Sequence, residues 1–311
     1  MKPLISVLML SYNHGRFIKE ALESVSINRS ASYDLEVIII DDGSTDDSIL
    51  IIEKFKLSNQ LPTFLLKKEH KGVHAVSRNF NELISLAKGK YITFLASDDC
   101  YTQNRFMNQM ALMENDKKIA LSYANGVNIT AGAKSGMVHP SKEVSLLRSN
   151  SAERVYDYVT NNIPSLFIQS ILIRANFVKS FEAFDPDLIS DDWVFNIRVF
   201  KEIASKKLSF RYVNDIVFSR RIHSENTSRN TKVHFERVTQ VIQRYCNHKA
   251  GLPERAVFDA ILHCLLRKEF CDLPFYIKKL DFSMKLPFMA ISWIFILVFN
   301  KISKLVAFKN D

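Results

Sequence analysis

Tyr91-Ile92-Thr93-Phe94-Leu95-Ala96-Ser97-Asp98-Asp99-Cys100 reads as a strand that runs straight into two adjacent carboxylates. Aromatic and β-branched residues give its first half strand character. Open α/β sheets bind ligands outside the carboxyl ends of their strands, so these acids are presented where a ligand sits. Neighbouring carboxylates repel each other and need a counter-charge to stay ionised. A divalent, oxygen-preferring cation such as Mg²⁺ or Mn²⁺ supplies one and bridges to substrate phosphates. An acidic turn capping the next helix fits the stretch equally well when it is taken alone. The surrounding chain separates the two readings.

Working outward, Ile5 to Leu10 is a compact apolar run, as expected of a strand buried on both faces. The run is too short for a signal peptide, lacks a small-residue cleavage site and continues into the polar turn Ser11-Tyr12-Asn13-His14-Gly15. Ile18, Leu22 and Val25 then share one helical face. Glu36 to Ile40 is a second buried strand, closed by Asp41-Asp42-Gly43-Ser44-Thr45-Asp46-Asp47. Ser44 or Thr45 is expected to cap the following helix, whose stripe is Ile49, Ile52 and Phe55. Thr63 to Leu66 is a third strand. Val73, Val76, Phe80, Leu83 or Ile84, and Ala87 step along a helix that Gly89 is expected to end.

After the Tyr91 strand come a helix with Phe106, Met110 and Met113 and a strand at Ile119 to Tyr123. The pattern weakens over 126–151, which is expected to be a loop-rich crossover. Ser165 to Arg174 and Phe210 to Phe218 have strand character, and Ser190-Asp191-Asp192-Trp193 opens a helix between them. The alternation predicts an α/β fold, a mainly parallel sheet with helices on both sides.

The 311 residues are 47% hydrophobic with only 8 Gly and 8 Pro, which excludes a disordered chain. From Asn226 onward there are 14 Lys and Arg against 7 Asp and Glu, so +7 of the net +9 lies in the last 86 residues. A basic tail implies an anionic partner, a membrane surface or a nucleic acid. Its charges are scattered among apolar stretches with no nucleic-acid module, so no nucleic-acid partner is expected. Leu286 to Asn300 is a 15-residue uncharged stretch with Lys278, Lys279 and Lys285 before it and Lys301 and Lys304 after. It is short of the ~20 residues that span a bilayer. With its Trp and basic flanks it suits a helix lying in the membrane interface, or one packed on the main domain. Cys100, Cys246, Cys264 and Cys271 have neither metal-type spacing nor disulfide density, which implies reduced, cytoplasmic thiols.

Acid pairs therefore close three separate elements, Asp41/Asp42, Asp98/Asp99 and Asp191/Asp192. Together with Arg78 and the Arg220–His223 turn they suit a metal–diphosphate site, with Arg balancing phosphate and carboxylates holding metal.

Five pieces, ISVLMLSYNHGRFIKEALESV, IIIDDGSTDDS, GVHAVSRNFNELISLAKGKYITFLASDD, SDDWVFNIRVF and RRIHSENTS, occur in an order that resembles glycosyltransferase family 2. They cover roughly residues 4 to 228. The resemblance implies a GT-A domain over 1–228, the nucleotide-diphosphosugar transferase fold, leaving 229–311 as a helical, basic and apolar region for membrane association. It implies an inverting transfer from a nucleotide sugar, a UDP-sugar being expected, to a saccharide hydroxyl. The basic tail points to an acceptor carried on a polyprenyl diphosphate at the cytoplasmic face of the inner membrane, as in O-antigen or capsule assembly. Donor nucleotide contacts implied by the resemblance are Ser11, Tyr12, Asp42, Arg78, Asp98 and Arg221. Asp98, Asp99 and His223 are the implied ligands of Mn²⁺ or Mg²⁺. Ala96 stands where many members carry the first acid of the Asp-x-Asp motif, which puts the metal site in doubt. Asn226 and Ser228 complete the pattern around His223. Asp192, or Asp191 beside it, is the implied catalytic base, and Trp193 shapes the sugar or acceptor pocket. A sugar nucleotidyltransferase shares the fold but carries a Gly-rich basic loop after strand one, where this chain has Ser11 to Gly15.

Overall fold

The structure, a computed structural model, describes residues 2–189, 192–223, 230–246, 251–267 and 269–279. Asp191, Asn226, Ser228 and the apolar stretch 286–300 lie outside the described residues.

The first strands form the parallel half of the sheet. β1 (Leu4–Ser11) pairs in parallel with β2 (Asp34–Asp41) on one side and β4 (Tyr91–Phe94) on the other. β3 (Thr63–Lys67) adds to β2. Strand residues alternate between faces, and the core follows. Val7, Met9, Val37 and Ile39 pack with α1 (Gly15–Ser26) and α2 (Ser48–Ser58), while Leu8, Ile38 and Ile40 pack with α3 (Val76–Leu86). β1 needs apolar residues on both sides, hence its unbroken apolar run.

Beyond β4 the sheet continues with β8 (Ile171–Arg174), β6 (Ile119–Thr130), β9 (Ser209–Ile222) and the short β5 (Cys100–Tyr101). β8 is antiparallel to both β4 and β6, β9 is parallel to β6, and β7 (Ala133–Met137) pairs with β6 as a hairpin. The described residues thus form a nine-stranded sheet in the order β3-β2-β1-β4-β8-β6-β9-β5, with β7 off the path. α4 (Met107–Asn115) lies on the α1/α2 side. α6 (Ala152–Asn161), α8 (Asp192–Ser205), α9 (Thr231–Tyr245) and α10 (Leu252–Arg267) share the apolar cluster of α3.

Three local expectations change. The stretch 126–151 is not a loop-rich crossover: β6 runs on to Thr130, turns through Ala131 and Gly132 at positive φ, returns as β7 and leads into α5 (Ser141–Arg148). β7 is exposed throughout, so no buried face imposes apolar alternation on it. Gly89 does not cap α3, which ends at Leu86 with Ala87 extended. It lies flat against β1, where a Cβ would come within 2.6 Å of Ser6 Oγ and 2.8 Å of the Leu4 carbonyl oxygen. Ser44 does not cap α2, whose N-cap is Asp47. Its hydroxyl donates instead to Asp41 Oδ2 at 2.7 Å.

Candidate active site

The order β3-β2-β1-β4 reverses direction at β1, and that switch point opens a crevice at the strands' carboxyl ends. A cavity of about 670 Å³ lies there. Ser11, Tyr12, Asp42, Asp98 and Asp192, expected from sequence to form the site, all line it. So do His70 and Asn79, which sequence reasoning missed.

Two of the acid pairs, Asp41/Asp42 and Asp98/Asp99, divide their work. Asp41 closes its own turn, accepting from Ser44 N at 2.7 Å and from the Ser44 hydroxyl. Asp42 faces the cavity, with Oδ2 2.9 Å from His70 Nδ1. Gly43 (φ 78) lets the loop pass this close, since a Cβ there would lie 2.7 Å from the His70 amide nitrogen. The His70 ring stacks on Tyr12 with centroids 3.9 Å apart and planes 10° from parallel. Ser11 is fully buried, and its Oγ has no hydrogen-bond partner among the described residues although it borders the cavity. An orphaned buried hydroxyl is costly, so a ligand that bonds it gains. Arg78 is exposed on α3 and does not line this cavity, while its neighbour Asn79 is buried and does.

At the end of β4, Asp98 Oδ2 sits 3.0 Å from His223 Nε2, and Asp98 borders the cavity. Asp99 is buried. Its Oδ1 accepts from Arg221 N at 2.7 Å and its Oδ2 from Gln169 Nε2 at 2.8 Å. Burial, reinforced by the charge of Asp98, pushes the Asp99 carboxyl well above the usual carboxylate range. The Arg221 guanidinium turns from the cavity to the Asp98 carbonyl (3.2 Å), Cys100 Sγ (3.0 Å) and Glu20 (2.5 Å). Arg221 and Asp99 thus clamp the end of β9 to the end of β4. Among the described residues no group of three or more His, Cys, Asp and Glu is arranged to hold a metal; of the three ligands expected, Asp98 and His223 are brought together and Asp99 is turned to Arg221 and Gln169.

Asp192 is the first residue of α8, and its Oδ1 accepts from Ile168 N at 2.7 Å. It also borders a second cavity, of about 470 Å³. Ala96, Asp98, Gln169 and Asp192 line both spaces and form the wall where they meet. Trp193 is nearly buried, donates from Nε1 to the Val159 carbonyl at 2.7 Å, and shows an edge to the second cavity. Arg220 lines that cavity, its guanidinium 4.7 Å from the centre of the Phe167 ring.

Residues 6–162 match the family model described as Glycosyl transferase family 2. The chain belongs to glycosyl transferase family 2. This family 2 chain is 28% identical to the glycosyltransferase GlyG of Streptococcus pneumoniae serotype 4 over 234 residues, 73% of the chain and 64% of GlyG. It is 26% identical to the chondroitin synthase of Escherichia coli over 229 residues, 73% of the chain and 30% of that enzyme. WfaP of Escherichia coli, a UDP-Glc:alpha-D-GlcNAc-diphosphoundecaprenol beta-1,3-glucosyltransferase, is 37% identical over 123 residues, 39% of the chain and 45% of WfaP. The chain spans less than two thirds of the length of these relatives.

Solved structures show the same fold. S. aureus TarS 1–349 in complex with UDP-GlcNAc superposes with a TM-score of 0.58 at 16% identity, covering 90% of this chain and 80% of TarS 1–349. The mannosyltransferase PcManGT of Pyrobaculum calidifontis, in complex with GDP-Man and Mn²⁺, gives 0.56 at 15% identity, covering 96% and 81%. The family 2 chain therefore has the GT-A fold read from its sequence.

Proposed function

We propose that this protein is an inverting glycosyltransferase that moves a sugar from a nucleotide donor, a UDP-sugar, to a saccharide hydroxyl. The observation that carries the proposal is the pair of cavities meeting along Ala96, Asp98, Gln169 and Asp192. One cavity suits the donor nucleotide and the other the acceptor. The family membership and the nucleotide sugars in the TarS and PcManGT complexes support it.

In the donor cavity, Asp42 accepts hydrogen bonds from the nucleoside base or ribose, and Ser11 gains the partner it lacks. Asp98 and His223 would hold a divalent cation, Mn²⁺ or Mg²⁺. A carboxylate oxygen and an imidazole nitrogen 3.0 Å apart are a fitting pair of donors for such a cation. When bound, that cation neutralises negative charge developing on the departing diphosphate. Asp99 keeps Asp98 and the β9 end in place through Arg221 and Gln169.

At the shared wall Asp192 takes the proton of the acceptor hydroxyl as its oxygen bonds to the anomeric carbon. The bond from that carbon to the diphosphate breaks on the opposite face, and the nucleoside diphosphate leaves with the electron pair. The Ile168 amide holds Asp192 Oδ1, which fixes the carboxylate's direction. The β1–α1 turn is not a phosphate-cradling loop, because the amides of Asn13, His14 and Gly15 already donate to Ser44, Ser48 and Asp46.

The acceptor is a saccharide on a polyprenyl diphosphate, for surface polysaccharide such as O-antigen or capsule. WfaP, whose name includes such an acceptor, and the basic tail support this. Leu265, Leu266, Phe270, Phe275 and Ile277 are exposed near Lys278 and Lys279, which suits a surface resting on the cytoplasmic face of the membrane. No helix among the described residues is long and apolar enough to cross it.

The test is Asp192→Asn. Sugar transfer, followed by release of nucleoside diphosphate with a polyprenyl-diphosphate saccharide acceptor, should fall about 10²–10⁴-fold. Nucleotide affinity should be retained. Unchanged turnover would remove Asp192 from the reaction.

A further inference from the structure

The second cavity is lined by groups of both charges. Asp98 and Asp192 stand in the wall shared with the donor cavity, and Asp99 also lines the second one. Three guanidinium-bearing residues from three elements line it too: Arg220 on β9, whose charge acts on Asp99, Arg237 on α9 and Arg255 on α10. His234, one turn before Arg237, has Nδ1 3.3 Å from Arg237 Nη2. Burial first, and the charge of Arg237 next, push its imidazole down to about 4, so at neutral pH it adds a hydrogen-bonding edge without charge. Asp259 lies one turn along α10, its Oδ2 3.9 Å from Arg255 Nε, and is an acid that lines the cavity beside it. Pro164 and Phe167 add an apolar wall.

A neutral saccharide acceptor has no use for three guanidinium groups, since hydroxyls are well served by neutral or carboxylate partners. The planar guanidinium fork matches a pair of oxygens on a tetrahedral, multiply charged phosphoryl group. We infer that Arg220, Arg237 and Arg255, which line one cavity from three elements, form a phosphoryl subsite, which binds a phosphate or diphosphate carried by the acceptor while the acceptor's hydroxyl reaches Asp192. This rests on the transferase reading and gives the acceptor's phosphoryl group a place in the site. The phosphoryl group can belong to a lipid diphosphate or to a phosphodiester in a glycan, and both present the same oxygens. The subsite is separate from the donor diphosphate, which leaves on the Asp98 and His223 side.

The experiment uses the full chain saturated with whichever nucleoside diphosphate it binds, in the presence of Mn²⁺. Geranyl diphosphate, glycerol 3-phosphate and methyl glucuronide are titrated into it by calorimetry, and into the double variant Arg237→Gln/Arg255→Gln. Binding of geranyl diphosphate or glycerol 3-phosphate that weakens at least tenfold in the variant supports the subsite, and the better probe tells the lipid source from the glycan source. Nucleotide affinity within twofold of the parent shows that the variant is folded. Binding of neither phosphoryl probe, binding of the glucuronide alone, or equal binding by the variant overturns the subsite. If no nucleotide binds, the transferase reading itself fails, and the same titration on the free protein still decides the subsite.

Discussion

Asp41 and Asp42 share a peptide bond, yet one closes a turn and the other faces the cavity. Asp98 and Asp99 divide in the same way: Asp98 reaches His223 at the cavity edge, and Asp99 is buried under Arg221 and Gln169. Asp41 is the last residue of β2 and Asp42 the next, so strand alternation sends their side chains apart, whereas Asp98 and Asp99 lie in the turn between β4 and β5, where Arg221 and Gln169 hold Asp99. The sequence shows that acids gather at the sheet edge. It does not show which of each pair faces inward, because that depends on partners such as Ser44 and Gln169 that are distant in pattern or in chain. His70 and Asn79 carry no signal of their own and were legible only once the cavity was in view. Asp42→Asn should weaken nucleotide binding about tenfold or more, the scale of a charged hydrogen bond, with little change in urea midpoint. Asp41→Asn should do the reverse. Gln169→Ala leaves a buried Asp99 oxygen without its donor and should cost about 1–3 kcal/mol in urea unfolding.

At the scale of elements, apolar periodicity located β1, β2, α1 and α3, since each of these presses a face into the core. It failed for β7, which has no buried face; α6 (Ala152–Asn161) was also missed, although its buried Ala152, Val155 and Val159 keep a helical spacing. Gly89 shows a different limit. A glycine after a helical pattern suggests a cap, but here the requirement is close approach to β1. Gly89→Ala should therefore cost about 1–3 kcal/mol, as overpacking does, and the sign would be opposite if Gly89 were merely a flexible linker residue. The thermal or urea midpoint distinguishes these.

Across the whole molecule, both sheet faces are covered, and α9 and α10 belong to the same apolar cluster as α3, α6 and α8. His139 is buried within this body, its Nε2 accepting from Phe167 N at 3.2 Å. Burial pushes its imidazole down to about 4. The unfolded chain, with an ordinary imidazole near 6.5, binds the proton first as pH falls. The stability contributed by keeping His139 neutral is thus complete above about pH 6.5 and is lost between there and pH 4, by about 3 kcal/mol at the lower limit. His139→Gln should flatten that part of the curve of urea midpoint against pH. If the parent and the variant show the same slope, His139 is not the titrating group.

On this reading the cavity at the β1/β4 switch point should bind a nucleoside diphosphate together with a divalent cation. The direct measurement is calorimetric titration of the full chain with UDP, dTDP and GDP, in Mn²⁺ and again in EDTA, alongside Asp42→Asn and Asp98→Asn. One nucleotide, UDP, should bind in Mn²⁺, lose at least tenfold in EDTA, and bind more weakly to both variants. A folded protein that binds none of the three nucleotides would contradict the claim.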